Sequence, residues 1–321
     1  MRHVVVTTSP VFGTMGALPA RIAANGWDFI RCADSSKPDG GLSAYQDRME
    51  ILIVGLVPAT AETINKSPKL RAIFKHGVGV DNIDLSAATA RRIPVMNAPG
   101  SNANAVAELA LGGMLCLARR IPMAHSEIVN GGWQRTVGTE IEGKILGVMG
   151  LGNIGKVLAR KARALGMQVL ASDLYPDKAF AAEHQVELTD MQDLLRRSDY
   201  VSLHIFGGKT NANLIGAKEL ALMKPEACLI NYARGEVLDL DALSVALDKG
   251  ALRGAAIDAY VKEPPDRSHP IFSSHKVVFT PHCGADTRES GENMGSMTLD
   301  GIEALLAGKR PNHVLNSEVF D

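Results

Sequence analysis

The sequence has little cysteine, and the few cysteines it has are far apart. None forms a C-x-x-C pair or has a histidine at zinc-ligand spacing, so neither a disulfide framework nor a structural metal site is predicted. We interpret them as reduced thiols, as is typical of a cytosolic protein. The four residues are Cys32, Cys116, Cys228 and Cys283.

An excess of either charge is also missing, since 34 basic residues nearly balance 35 acidic ones. This balance gives no general electrostatic basis for binding nucleic acid or an anionic membrane. Long hydrophobic runs are absent, because the most apolar stretch, residues 105–118, is interrupted by Glu108 and is too short to span a bilayer. The opening residues resemble a first strand more than a signal peptide. We therefore expect a soluble, cytoplasmic protein.

Short β-branched segments alternate with helical patterns throughout the chain, which predicts the α/β class with parallel sheets. A chain of 321 residues favours two domains. Strands are predicted at 4–7, 51–54, 71–74 and 94–96, with helices at 19–24 and 85–91. After a Pro and Gly break at 97–101 come a helix over 103–118, six strands and a closing helix near 289–306. The six strands are predicted at 145–149, 168–171, 200–203, 228–231, 254–257 and 277–280.

A glycine-rich loop lies between the strand at 145–149 and a helix predicted over 154–165. The pattern G-x-G-x-x-G alone is weak in a chain with 31 glycines, but its position after a strand and before a helix is typical of dinucleotide binding. Its glycines permit a tight turn, close approach to a pyrophosphate and close helix packing. A purely structural glycine turn is the alternative. The loop consists of Gly150, Leu151, Gly152, Asn153, Ile154 and Gly155.

Asp173 follows the last of these glycines by eighteen residues, at the end of the next predicted strand. A carboxylate there is placed to accept hydrogen bonds from the adenosine ribose and would repel a 2′-phosphate. Residues 172–175 include no arginine to bind such a phosphate. The pattern therefore favours NAD over NADP.

Later in the chain, three side chains have the chemistry of alcohol dehydrogenation, which needs a proton acceptor and a cation that binds the substrate. Arg234 follows the strand at 228–231, and its guanidinium suits a carboxylate. His282 follows the strand at 277–280 and is a candidate acid/base, which Glu263 could orient. A solvated arginine and a structural histidine remain the alternatives for each residue taken alone.

These motifs resemble the D-isomer-specific 2-hydroxyacid dehydrogenase family, in particular its phosphoglycerate-dehydrogenase-like branch. The resemblance covers most of the chain, and its motifs occur in the family's order. They are the segment His76 to Asp84, the segment Asn104 to Glu108, the glycine loop, Ala233-Arg234-Gly235, Asp258, Glu263-Pro264 and Pro281-His282.

The resemblance implies a Rossmann-type NAD-binding domain at 100–287, inserted into a smaller flavodoxin-like substrate-binding domain of residues 1–99 and 288–321. The active site would lie in the cleft between them. It implies an NAD-dependent oxidoreductase that interconverts a small, D-configured 2-hydroxy acid and its 2-keto acid. Family members are usually dimers through the NAD domain, so a homodimer is expected.

The resemblance also implies roles for individual residues. Arg234 would bind the substrate carboxylate and carbonyl, His282 would exchange the proton, and Glu263 would hold His282. The backbone N–H groups of Val78 and Gly79 would grip the carboxylate, with Lys75 and Ser101 nearby. Asp258 would lie near the nicotinamide, although a cap or turn role stays open. Further cofactor contacts are expected at Val106, His204, Phe206, Tyr232, Ala233 and Gly284.

The match departs from the family pattern at two places. Residues 53–56 lack the arginine that often meets the phosphate in phosphoglycerate dehydrogenases, so 3-phosphoglycerate itself is not favoured. Lys75 and His76 are expected to receive any second anionic group, such as a phosphate, a sulfonate or a carboxylate. Residues 204–210 replace a proline-containing loop.

The chain ends soon after the closing helix, so no regulatory domain is expected.

Alternative functions also stay open at this point. An NAD(H)-sensing protein that resembles the family's corepressors is the main alternative function. Formate or phosphite as the hydride donor is another.

Overall fold

The computed structural model describes residues 2–32, 34 and 36–321. The chain divides into two units. The first unit contains the residues up to Asn102 together with Ala285–Asp321, and the second is Ala103–Gly284. Within the described ranges, no helix is long and apolar enough to cross a membrane.

The first unit is built on a five-stranded parallel sheet in the order β2-β1-β3-β4-β5. This is the flavodoxin-like, doubly wound order. Four of the strands were predicted, and β2 was missed. The strands are β1 (Val4–Thr7), β2 (Asp28–Arg31), β3 (Ile51–Val54), β4 (Ala72–Lys75) and β5 (Val95–Met96).

Three of the helices of the first unit begin where a short polar side chain accepts a free backbone N–H group, at Thr60, Asp84 and Thr287. The last helix of the chain completes the core of this unit with Leu299 and Ile302. These helices are α1 (Leu18–Ala24), α2 (Ala61–Asn65), α3 (Leu85–Ala90) and α11 (Arg288–Leu306).

The second unit has a seven-stranded parallel sheet in the order β12-β11-β10-β9-β6-β7-β8. It contains the Rossmann order with one further strand at an edge. Six strands were predicted, so the expected number was wrong by one, and β8 is the strand that was missed. The strands are β6 (Ile145–Met149), β7 (Gln168–Ser172), β8 (Val186–Leu188), β9 (Tyr200–Leu203), β10 (Cys228–Asn231), β11 (Gly254–Ile257) and β12 (Val277–Phe279).

Helices cover this sheet and form two separate apolar clusters with it. The helix after the glycine loop ends where Gly166 takes a φ of +80°, a common way for a helix to stop. The helices are α4 (Ala103–Arg119), α5 (Ile121–Val129), α6 (Asn153–Ala164), α7 (Lys178–Glu183), α8 (Met191–Arg197), α9 (Ala217–Leu220) and α10 (Leu240–Asp248).

Helix α5 and the segment after it, residues 121–137, form what we call the α5 arm. None of the helix residues is buried. The segment after the helix exposes Trp133 at 83% and Val137 at 90%. Exposed apolar side chains grouped in this way are typical of an interaction surface.

Candidate active site

The glycine loop follows β6 at the carboxyl edge of the large sheet. Gly150 has a φ of +93°, and a Cβ atom on it would lie 2.4 Å from the carbonyl oxygen of His204. A Cβ on Gly155 would lie 2.1 Å from the carbonyl oxygen of Gly150. A Cβ on Gly152 would meet nothing within 4 Å. The outer glycines are therefore required by packing, while the middle one faces open space that suits a bound dinucleotide.

Asp173 lies directly after β7 and contacts the same loop. Its Oδ2 accepts the backbone N–H of Leu151 at 2.6 Å, and its Oδ1 accepts that of Tyr175 at 2.8 Å. The carboxylate thus stands beside the glycine loop. These residues fit an NAD molecule, and the ribose contact stays a prediction.

Asp258 ends β11 and is buried. Its carboxylate accepts the hydroxyl of Thr280 at 2.6 Å and the backbone N–H groups of Cys283 and Gly284, each at 2.9 Å. These bonds hold the chain on both sides of His282. The φ of His282 is +53°, which is uncommon for a residue with a side chain. Asp258 is thus a turn acid that fixes the loop carrying His282, and the nicotinamide contact stays a prediction.

The imidazole of His282 pairs with Glu263. Its Nδ1 lies 2.7 Å from Oε1 and 2.8 Å from Oε2 of Glu263, whose Oε1 also accepts the backbone N–H of Tyr260 at 3.1 Å. Tyr260 donates its hydroxyl to the carbonyl of Thr280 at 2.9 Å, and burial raises the pKa of this hydroxyl to about 12. The His282 side chain is 42% exposed, so its Nε2 remains accessible for proton exchange.

The turn carrying Arg234 follows β10 and packs against the segment that leads to Glu263. The side chain of Asn231 binds the backbone N–H of Ala233 at 3.2 Å and the carbonyl of Arg234 at 2.9 Å. A Cβ on Gly235 would lie 2.1 Å from the backbone of Tyr260. The second unit thus brings the Arg234 turn, Glu263 and His282 to one sheet edge.

Three predicted cofactor contacts, Val106, Tyr232 and Ala233, are buried within this unit. Tyr232 fits against α4 because a Cβ on Gly113 would lie 2.6 Å from its hydroxyl, and burial raises its pKa. A Cβ on Gly284 would lie 3.1 Å from Asp258. These residues therefore support the carboxyl edge of the sheet from inside the unit.

His204 and Phe206 begin the loop after β9. The His204 N–H donates to Met149 at 2.7 Å, and its Nε2 lies 2.9 Å from the hydroxyl of Ser202. Burial lowers the pKa of His204 to about 4, so the ring is neutral near pH 7. Its Nδ1 is buried with no hydrogen-bond partner in the described part of the chain. Phe206 is 81% exposed.

The predicted substrate residues of the first unit begin at Lys75, the last residue of β4. Lys75 donates from Nζ to the Gly55 carbonyl at 2.7 Å and to Asn82 Oδ1 at 2.9 Å. The Nδ1 of His76 lies 3.0 Å from the hydroxyl of Ser9, and burial lowers the pKa of His76 to about 4. The expected anion-binding pair therefore consists of an ammonium already bound by two oxygens and a neutral imidazole.

The other predicted substrate residues have backbone-centred contacts. Val78 accepts the side-chain amide of Asn97 at 2.7 Å through its carbonyl, and Ser101 donates its hydroxyl to Ala98 at 2.6 Å. Gly79 follows Val78 and is partly buried. Among the described residues, the structure shows no backbone hydrogen bond donated by the N–H groups of Val78 and Gly79. Both groups can therefore donate to a ligand.

Sequence reasoning missed three residues that hold the site. Asn82 donates to the carbonyls of Gly55 and Leu56, each at 3.0 Å, and it lies inside the motif that begins at His76. Tyr260 holds Thr280 as described above, and Glu236 accepts the N–H of Gly208 at 3.1 Å. Glu236 follows Arg234-Gly235 directly, and this proximity was the available signal.

The described residues show no cluster of three or more histidine, cysteine or acidic side chains able to hold a metal.

Comparison with known proteins gives matches over most of the chain. The family model described as D-isomer specific 2-hydroxyacid dehydrogenase, NAD binding domain, matches residues 111–284. D-3-phosphoglycerate dehydrogenase of Methanocaldococcus jannaschii is 38% identical over 278 residues, which cover 86% of this chain and 53% of that protein. Glyoxylate reductase of Thermococcus litoralis is 35% identical over 298 residues, with 89% and 90% covered. The chain spans about half the length of the phosphoglycerate dehydrogenases it matches.

Solved structures are similar to this chain over nearly its whole length. The TT0316 protein of Thermus thermophilus is similar with a TM-score of 0.88 and 30% identity, covering 98% of this chain and 100% of that one. D-lactate dehydrogenase of Aquifex aeolicus, complexed with NAD and lactic acid, is similar with a TM-score of 0.82 and 28% identity, with 95% and 96% covered.

Proposed function

Because the chain belongs to the D-isomer specific 2-hydroxyacid dehydrogenase family, we propose that it interconverts a small D-2-hydroxy acid and its 2-keto acid with NAD(H). The observation that carries the proposal is the His282–Glu263 pair, which stands at the same sheet edge as the glycine loop. Bound NAD⁺ would accept the hydride from C2 of the hydroxy acid. The hydroxyl proton goes to Nε2 of His282 as the C–O bond becomes a carbonyl.

The remaining groups bind and orient the acid. The Arg234 guanidinium takes the carboxylate and polarises the carbonyl. Glu263 stabilises the imidazolium that forms when His282 accepts the proton. Asp258 keeps the His282 loop in its strained conformation.

The cofactor is NAD, and its preference over NADP rests on Asp173. The carboxylate stands beside the glycine loop through its bond to Leu151. No arginine occurs within residues 172–175 to neutralise a 2′-phosphate. A second negative charge there would meet an unneutralised carboxylate.

The tail of the substrate is proposed to be small and without a phosphate. Lys75 already binds two oxygens, and His76 is neutral. A phosphate would compete with these hydrogen bonds for the ammonium of Lys75, and desolvating the phosphate would cost affinity. The alternative of an NAD(H)-sensing corepressor-like protein is supported by none of the relatives described above.

We also propose that the chain forms a homodimer through the α5 arm, in the cytoplasm. A second copy of the arm would cover the exposed Trp133 and Val137. None of the four cysteines, all of which the structure describes, is in a disulfide, which suits a reducing compartment.

A panel of 2-keto acids with NADH tests the reaction. Glyoxylate, pyruvate and hydroxypyruvate are compared with phosphohydroxypyruvate and sulfopyruvate, with NADH absorbance as the readout and chiral chromatography of the product. We expect turnover of at least one unphosphorylated acid and a D-configured product where C2 is chiral. No turnover across the panel would contradict the proposed function, and preference for the phosphorylated acid would contradict the proposed tail.

A further inference from the structure

The segment of residues 204–208, which we call the 204–208 loop, begins against the glycine loop. The His204 N–H donates to the carbonyl of Met149 at 2.7 Å. A Cβ on Gly150 would lie 2.4 Å from the His204 carbonyl and 3.1 Å from the side chain of Ile205. The start of the 204–208 loop is therefore packed directly on the first glycine of the dinucleotide-binding turn.

The far end of the loop lies on the Arg234 turn. Glu236 accepts the N–H of Gly208 at 3.1 Å through Oε1. A Cβ on Gly207 would lie 2.0 Å from this same oxygen and 3.0 Å from Cγ of Arg234. The backbone carbonyl of Glu236 accepts the N–H of Asn213 at 2.7 Å, so Glu236 contacts both the far end of the loop and the segment that follows it.

One short segment thus joins the turn that binds the dinucleotide to the turn that carries Arg234. Its far end consists of two adjacent glycines, and Gly208 has a φ of +99°. Glycine leaves a backbone with more conformations than other residues do. Contacts from outside the loop therefore hold it: the side chain of Asn211 donates to the carbonyl of Phe206 at 2.9 Å, and the carboxylate of Glu236 accepts the N–H of Gly208.

We propose that Glu236 is a positioning residue that couples the two turns. By holding Gly208, it keeps the 204–208 loop on the stem of Arg234, so that the cofactor site and the orientation of Arg234 depend on the same hydrogen bond. Phe206, exposed in the middle of the loop, is held in place for contact with the bound nucleotide. The role of Arg234 toward the substrate rests on the proposed function, whereas the effect on nucleotide binding does not.

The variant Glu236→Ala tests the coupling, and Glu219→Ala is its matched control. Glu219 also accepts a glycine N–H, that of Gly216 at 3.2 Å, but at the start of α9. Kd for NADH is measured by fluorescence titration, together with KM for the best 2-keto acid and Tm. We expect Glu236→Ala to raise both Kd and KM about tenfold, as the loss of one charge-assisted hydrogen bond would do, and Glu219→Ala to change Tm alone. Glu236→Gln keeps an acceptor oxygen and should stay within about threefold of the original chain.

A second variant separates positioning from general loosening. Gly207→Ala should raise Kd for NADH about tenfold because its Cβ collides with the Glu236 carboxylate. In the Glu236→Ala background that collision disappears and only the 3.0 Å approach to Cγ of Arg234 remains, so the double variant should bind NADH nearly as tightly as Glu236→Ala alone. Additive losses, or equal effects of Glu236→Ala and Glu219→Ala, would overturn the proposal. Because NADH titration needs no substrate, failure of every 2-keto acid would leave this test intact.

Discussion

Both carboxylate oxygens of Glu263 face the same nitrogen of His282, at 2.7 and 2.8 Å from Nδ1. A carboxylate in this place fixes the orientation of the ring. The opposite nitrogen, Nε2, is thereby left as the site of proton exchange. The pair works as a unit, because Glu263 is held by the N–H of Tyr260 and His282 by the bonds of Asp258 to the two following residues.

Removal of either partner should slow the chemical step. We expect His282→Ala to lower kcat by roughly 10²–10⁴-fold, since general acid/base catalysis contributes that much. Glu263→Gln, which keeps the shape but loses the charge, should lower kcat less. Steady-state kinetics with the best 2-keto acid measures both effects. His275→Ala, on an exposed histidine of the same unit, is the control, and an unchanged rate in His282→Ala would contradict the assignment.

Substitution of Asp173 should weaken the discrimination between the two nicotinamide dinucleotides. The carboxylate binds the N–H groups of Leu151 and Tyr175, and it repels a 2′-phosphate. We expect Asp173→Ala to reduce the ratio of kcat/KM for NADH to that for NADPH by at least about tenfold. Asp190→Ala, at a helix start of the same unit, is the control. An unchanged ratio would mean that another group selects the cofactor.

Charges placed on the α5 arm should separate the proposed dimer. Ile128 and Val129 are exposed apolar residues at the end of α5, and burying an unpaired carboxylate in an interface is strongly unfavourable. We expect the double variant Ile128→Asp and Val129→Asp to be monomeric by size-exclusion chromatography with light scattering. Val245→Asp changes an equally exposed valine on α10 and should stay dimeric. A monomer for the original chain would contradict the proposal.

Stability should fall on mild acidification because two imidazoles are buried. His76 and His204 have pKa values of about 4 in the folded chain, below the ordinary value of 6.5. Between these values the unfolded chain binds protons that the folded chain does not, so the free energy of unfolding decreases as pH falls from 6.5 toward 4. Each histidine should contribute a loss of roughly 2 kcal/mol between pH 7 and pH 5.

Urea unfolding of each variant at pH 7 and pH 5 measures this loss. We expect His204→Gln to depend less on pH than the original chain, whatever its stability at pH 7. His275→Ala should retain the full dependence, because that histidine is exposed. The same dependence in all three proteins would show that other groups control acid stability.

The central strands of both sheets were predictable because their residues are buried on both faces. Strand β3, Ile51–Val54, reads as a continuous apolar run, which is typical of a parallel strand in a sheet centre. The missed strands, β2 and β8, lie at sheet edges, are short and contain charged residues. Edge strands bury less apolar surface, so their pattern is weak.

The sequence indicated candidate site residues where chemistry depends on strand ends. Arg234 and His282 were proposed because each follows a strand, β10 being buried and β12 half-buried, and the ends of parallel strands meet at one edge. The state of Lys75 and His76 could not be predicted, since it depends on the carbonyl of Gly55 and the hydroxyl of Ser9, which are distant in sequence. A sequence gives the charge of a side chain but not the partners that bind it.

The order of the two units along the chain determines which pieces of the gene can be expressed separately. Residues 103–284 are continuous and contain both apolar clusters of the large sheet, so this fragment has the composition of an autonomous folding unit. Residues before 103, if expressed alone, would lack α11. Leu299 and Ile302 of this helix pack with Phe74 in the core of the first unit. The first unit therefore becomes a separable protein only when its two segments are rejoined by a new peptide linker between Asn102 and Ala285.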